Sequence, residues 1–335
     1  MELLSIDSFE KKLNHKLNAL PFAFQPAFMR AHQGVRVLSF KDLFAPVQFN
    51  TNKGFKTVRY MFPPLFRNGT LPALQDEKKF IEESLQFIKN KKLAHRIAQP
   101  YNFSIFRTVP ENTRYCAYGT YRINLKDRTD LDLLQNMQAR YRTAINQADR
   151  LKPEIKLGVS ELDGFYQLHE ETMKRTGAHP ESYQSIKNDL ERSNQNTLLA
   201  TVYINDELQG GLFLYTSKFG AYYMHGASAS TTLAQGAIKW LHYKIMCKLM
   251  HEGVAFYDFV GARLSDVSGT KLEGIQNFKK RFGSELIEAY LWKSDIDKKI
   301  CRAHDTLLKL KCKVRKTEYP YDIIDQETRK IKTNS

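Results

Sequence analysis

The sequence predicts a two-domain α/β (α+β) protein in which mixed, largely antiparallel sheets are flanked by helices. Three observations predict it. The chain has 335 residues, enough for roughly two domains, each with a core of its own. Its residues are 42% hydrophobic and 12% aromatic, the range of a globular rather than a disordered chain. In both halves, short β-rich runs separated by turns pass into an amphipathic helix and out into further strands.

In the first half, Val35–Phe40, residues 46–49 and Phe55–Tyr60 read as strands. Residues 76–93 read as a helix, with Ile81, Leu85 and Ile88 on one face. Residues 101–106 and 118–125 read as later strands, and residues 130–151 as a helix joining the domains. In the second half, residues 161–175 and 182–192 read as helices, and residues 198–204, 208–215 and 221–225 as an antiparallel meander. A long helix over residues 233–251 keeps Ile238, Leu241, Ile245 and Leu249 at helical spacing and stops at Gly253. A strand at residues 255–260, a helix at 270–282 and a strand at 286–292 follow. A lysine-rich helix is expected at 296–314, and residues 326–335 read as a frayed polar tail. The expected division is a first domain at 1–150, a second at 151–295, and a C-terminal basic helix and tail at 296–335.

Lys and Arg total 51 against 36 Asp and Glu, a net charge of +15. Such an excess favours a polyanionic partner, nucleic acid or an anionic membrane surface. Cys116, Cys247, Cys301 and Cys312 form no C-x-x-C pair, so reduced thiols are expected, not a disulfide framework. Cys247 and His251 are four apart but lack a second pair, and no metal or cofactor is expected. No apolar run reaches the length of a membrane span, and the N-terminus does not read as a signal peptide, so a cytoplasmic location is expected. There is no G-x-S-x-G elbow, no catalytic cysteine context and no G-x-x-x-x-G-K-[ST] loop.

The element order of the second half is that of a GNAT-type acetyltransferase, and the first half is a blurred copy of it. A domain of that type places an acyl donor against an amine and needs no nucleophile of its own. Three segments resemble the Fem family of non-ribosomal aminoacyltransferases. One is Tyr257-Asp258-Phe259-Val260-Gly261, followed by Gly274-Ile275 and Phe278-Lys279-Lys280-Arg281-Phe282-Gly283. Another is the aromatic strand Ala221-Tyr222-Tyr223-Met224-His225-Gly226. The third is the basic junction segment Arg140-Tyr141-Arg142-Thr143-Ala144-Ile145. The resemblance is strong over residues 140–283 and weak elsewhere. The long coiled-coil arm of some members has no room here.

The resemblance implies that Lys279 faces the acyl-transfer site, where a cation stabilises the developing oxyanion or the donor's terminal phosphate. It is expected to project from a helix anchored by Phe278, so that its loss affects turnover and not stability. Asp258, in an apolar strand, reads either as a catalytic base or as a structural acceptor. Tyr223 and His225 alternate on a strand and are expected on one face, lining the substrate cleft. Tyr257 and Phe278 belong to the motif and are expected near substrate. Arg175 precedes Gly177, where the family has a similar R-x-G, and is expected to hold a phosphate or carboxylate. Arg140 and Arg142 are expected to contact nucleic acid.

The resemblance implies an acyltransferase that moves an aminoacyl group from aminoacyl-tRNA to an amine of a cell-envelope precursor, as in peptidoglycan bridges. The acceptor would be lipid-linked or nucleotide-linked, with peripheral contact at the inner membrane face. The alternative is an N-acyltransferase using acyl-CoA or another carrier, in surface-polysaccharide modification. The loop before the long helix, residues 231–237, holds one glycine where a CoA pyrophosphate loop has more.

Overall fold

The computed structural model describes residues 1–13 and 19–334. The first half runs β1 (Glu2–Leu4), α1 (Ile6–Leu13), α2 (Pro26–Ala31), β2 (Val35–Phe40), β3 (Leu43–Asn52), β4 (Phe55–Tyr60), β5 (Leu65–Phe66), α3 (Leu74–Asn90), β6 (Arg96–Ile97) and β7 (Arg114–Asn124). Two helices, α4 (Asp130–Asn136) and α5 (Ala139–Asp149), make the junction. The second half runs β8 (Glu154–Leu157), α6 (Leu162–Thr176), α7 (Tyr183–Arg192), β9 (Thr197–Ile204), β10 (Glu207–Ser217), β11 (Gly220–Ser228), α8 (Ala237–His251), β12 (Phe256–Asp258), β13 (Ala262–Arg263), α9 (Lys271–Lys280) and β14 (Glu285–Asp295). The helices α10 (Lys298–Arg315) and α11 (Ile323–Asn334) close the chain.

Local chemistry accounts for most boundaries. Asn205 and Asp206 join β9 to β10 with φ of 50° and 62°, the left-handed pair that a two-residue hairpin requires. Gly177 ends α6 at φ 64°. The Ser182 side chain caps α7 by accepting from the Ser185 amide. The expected single helix over residues 130–151 is broken. Met137 is extended, and the Gln138 amide donates to the Arg281 carbonyl at the end of α9. Docking on α9 therefore outweighs local helix propensity.

The strands form one mixed sheet in the order β1-β2-β3-β4-β6-β14-β7-β12-β11-β10-β9-β8, with β5 on β3 and β13 on β7. Among the described strands, only β4–β6 and β11–β12 pair in parallel. The largely antiparallel, helix-flanked architecture thus stands. The division at residue 150 does not follow the strands. β7 comes from the first half, yet it lies between β14 and β12 in the second half's sheet. β14 then continues past β7 and pairs Ser294 and Asp295 with β6, which fuses the two half-sheets.

Two further expectations are corrected. Residues 101–106 form a loop, tied to the sheet by a bridge from Phe106 to Tyr290 and by the Tyr101 hydroxyl, which donates to Gln48 of β3 at 2.7 Å. The tail is not frayed at residue 326. It forms α11, with Ile324 buried and Glu327 paired to Arg263 at 2.5 Å. Alternation along β10 sets the layers: Leu212 and Leu214 face α5 and α8, and Phe213 and Tyr215 face α2, α6 and α7. Among the described residues no helix is long and apolar enough to cross a membrane.

Candidate active site

The sheet opens where β11 meets β12. The pair is in register only at Ala221–Tyr257 and Tyr222–Asp258. β11 then continues to Ser228, while the chain after Asp258 turns away. The gap between them belongs to a cleft of about 1020 Å³. Its walls are β11 from Tyr223 to Gly226, the Phe259–Val260 turn, one face of α9, the side of α6 bearing His169, and the loop at residues 98–103. Arg59, Lys271 and Lys279 line it as cations, and Asp322 is the lone carboxylate among the lining residues. Asp322 is itself paired with Lys293 at 2.6 Å.

The turn after β12 is held from two sides. Val260 and Gly261 both have positive φ, 49° and 80°. Glycine accepts this freely, whereas a β-branched valine there is strained by about 1–3 kcal/mol. The Asp258 carboxylate accepts from the Val260 amide at 2.8 Å. The Lys279 ammonium donates to the Val260 carbonyl at 2.5 Å and the Gly261 carbonyl at 2.6 Å. Lys279 is thus 7% exposed, tying α9 to the turn and not projecting into solvent. The expectation that its loss spares stability is corrected. Two of its three N–H groups are used, which leaves one donor for the cleft. Burial lowers its pKa to about 8, opposed by the nearby Asp258 charge.

Asp258 is 2% exposed and has its acceptor sites filled. Thr120 Oγ1 and the Val260 amide bind Oδ1, and Arg122 Nε and Nη2 bind Oδ2 at 3.1 and 2.9 Å. It does not line the cleft, and its contacts are those of an acceptor joining β7 to the turn. Tyr257 is also withdrawn. Its hydroxyl meets His242 Nδ1 at 2.9 Å inside the core. Phe278 lines the cleft and packs against Phe282, Phe259 and His242.

Tyr223 and His225 both reach the cleft, but from opposite faces. The β10–β11 register shifts so that Phe213 opposes His225 and Leu214 opposes Tyr223, leaving Met224 as an extra residue. This bulge breaks the alternation. Tyr223 packs edge-on against His242 of α8, and His225 against His169 of α6, with ring centroids 5.2 Å apart. Burial, reinforced by His169, pushes His225 down to about 4. Burial also lowers His169, so both rings are neutral at physiological pH. His169 Nδ1 lies 3.4 Å from the Gly226 carbonyl and Nε2 has no partner among the described residues. That contact assigns the proton to Nδ1 and leaves Nε2 as an acceptor.

The remaining expected residues lie outside the lining. Arg175 is exposed and donates to Ser228 Oγ at 2.9 Å, pinning the end of β11. Arg142 donates to the Met137 and Gln135 carbonyls and so caps α4. Arg140 is exposed on α5. The four cysteines are buried and free, and burial raises the Cys116, Cys247 and Cys301 thiols to about 12. Sequence reading missed His169, Arg59, Asp322 and the whole 98–103 wall. Only His169 carried a signal, being a polar residue on the apolar face of α6.

Residues 135–280 match the family model of the acetyltransferase (GNAT) domain. The structure of FemX superposes with a TM-score of 0.66 at 13% identity, covering 90% of this chain and 99% of that one. The fold is the tandem GNAT fold of the Fem type. The L-PGS structure from Bacillus licheniformis matches at TM-score 0.53 and 12% identity, over 87% of this chain and 92% of that one. A tandem GNAT protein from the clavulanic acid biosynthesis pathway matches at 0.50 and 8%, over 88% and 98%. No curated protein matches the sequence. By its GNAT domain the chain is an acyltransferase. The Fem-type signature at residues 257–261 and 278–283 also gains a physical meaning. Its two parts are the two sides of the clasp that Lys279 closes.

Proposed function

We propose that the protein transfers an aminoacyl group from aminoacyl-tRNA to an amine of a cell-envelope precursor, lipid-linked or nucleotide-linked, in the cytoplasm. The observation that carries this is the Lys279 ammonium, fixed at the strand gap with one donor left for the cleft. The Fem-type fold and the likeness to a lysyl-phosphatidylglycerol synthetase support an aminoacyl donor and an envelope acceptor. The cationic lining suits a donor whose backbone carries phosphates behind its terminal ester.

In this reading the acceptor amine attacks the carbonyl carbon of the aminoacyl ester. The C–N bond forms, the carbonyl oxygen becomes an oxyanion, and Lys279 stabilises it. The amine proton passes to the neutral His169–His225 pair. The ester C–O bond then breaks, and the proton leaves with the tRNA hydroxyl. An N-acyltransferase using acyl-CoA or another carrier is the second reading, favoured by the GNAT family match itself. Incubation with labelled aminoacyl-tRNA pools and, separately, acetyl-CoA, followed by mass spectrometry of envelope precursors, decides between them. Label arriving only from aminoacyl-tRNA is the expected result. Label arriving only from acetyl-CoA would replace the first reading with the second.

A further inference from the structure

We infer that the outer face of α10 docks on an anionic lipid surface. α10 carries seven Lys and Arg and a single Asp. Its inner face is fixed to the body of the protein. Cys301 and Cys312 are buried, Asp305 is paired bidentately with Arg96, and His304 stacks on Phe55 at 3.8 Å. The opposite face bears Ile300, Leu307, Leu310 and Val314, exposed by 41, 67, 54 and 83%. At about 100° per residue these four fall within an arc of about 80°. The basic residues Lys311 and Arg315 flank the stripe on one side, and Lys299 and Lys313 on the other; all four are exposed.

An apolar stripe edged by cations on both sides is the pattern of a helix lying in a bilayer interface. The same pattern argues against other occupants. A second copy of the chain would bring like charges together along the seam. Nucleic acid would engage the cations and leave the leucines in water. An anionic bilayer takes both, acyl chains against the stripe and headgroups against the lysines. The helix is also anchored near the cleft. From its C-cap, Lys316, the chain reaches Asp322 in the cleft wall in six residues, a span of at most about 20 Å. The value of that proximity for a lipid-linked acceptor rests on the proposed transferase reading; the lipid contact itself does not.

Flotation of the full chain with vesicles tests this. Vesicles of phosphatidylcholine containing phosphatidylglycerol should carry the protein, and salt should weaken the binding. Vesicles of phosphatidylcholine alone should not. The triple variant Leu307→Ser, Leu310→Ser, Val314→Ser should lose at least about tenfold in binding, as should Lys311→Glu with Lys313→Glu. All five side chains are exposed, so melting should not change. Absence of binding to the anionic vesicles, or equal binding by the variants, would overturn the inference. So would a wild-type dimer in sedimentation that the triple variant abolishes, because the face would then belong to a second copy. Transfer to a soluble acceptor, which needs no bilayer, reports separately on the transferase reading.

Discussion

Lys279 is where stability and chemistry meet in one side chain. Its stem is buried, and its ammonium holds two carbonyls of a strained turn. Lys279→Met keeps the stem and removes the donors. Thermal unfolding should show a loss of about 1–3 kcal/mol, because two acceptors lose a charged partner. Transfer should fall by about a hundredfold to a thousandfold. The ratio of wild-type to variant rates should be constant at lower pH and fall as pH rises through about 8, where the ammonium loses its proton. A flat ratio would show that the ammonium does not act in the rate. Position in the chain could not reveal this burial. Lys279 stands in a Lys-Lys-Arg run that reads as a solvated face, and only the turn at Val260–Gly261, contributed from elsewhere in the sequence, withdraws it from water.

His242 supplies a residue-scale test of the core. Its Nε2 has no partner among the described residues, and burial lowers its pKa from 6.5 to about 3. The unfolded chain therefore binds more protons than the folded one between those values, and stability is lost as pH falls below about 6.5. His242→Gln keeps a neutral partner for the Tyr257 hydroxyl. Its melting temperature should depend less steeply on pH between about 6.5 and 3 than that of the wild type. An unchanged slope would mean that His242 is not buried neutral.

At the scale of elements, periodicity located the helices and meanders well, since each buries a stripe or alternates across a sheet. It failed where a tertiary contact overrides local preference. The Met137–Gln138 break exists because α9 offers the Arg281 carbonyl there. The Met224 bulge sends Tyr223 and His225 to opposite faces, and no local pattern marks it. The end of the chain is the plainest case. Residues 326–335 are polar enough to read as a tail, yet α11 docks through Ile324 and the Arg263–Glu327 pair. Ile324→Ala should cost about 2–5 kcal/mol in chemical denaturation, the usual cost of a truncated buried isoleucine. A cost under about 0.5 kcal/mol, the surface value, would restore the frayed tail.

For the whole molecule, the order of elements was legible and the pairing was not. β7 belongs to the first half in sequence but is held by β12 and β14, more than 120 residues later. Such long-range pairings leave no trace in periodicity. The cleft inherits this difficulty. Four expected residues, Lys279, Phe278, Tyr223 and His225, line it, while the 98–103 wall only overlaps the 101–106 segment that reads as a strand.

The central claim is that acyl transfer takes place in this cleft, and Gly274 gives direct access to it. Gly274 lines the cleft on α9, and a Cβ there would meet nothing within 4 Å. Replacing a helical glycine also stabilises the helix, by up to about 1 kcal/mol for alanine. Gly274→Ala should therefore melt slightly higher with transfer largely kept, whereas Gly274→Trp adds an indole to the cleft lining. The deciding measurement is transfer of labelled aminoacyl groups by Gly274→Trp, alongside its melting temperature. Transfer reduced at least about a hundredfold, with melting at or above the wild-type value, is the predicted result. A stable Gly274→Trp protein that transfers at the wild-type rate would contradict the assignment of the cleft.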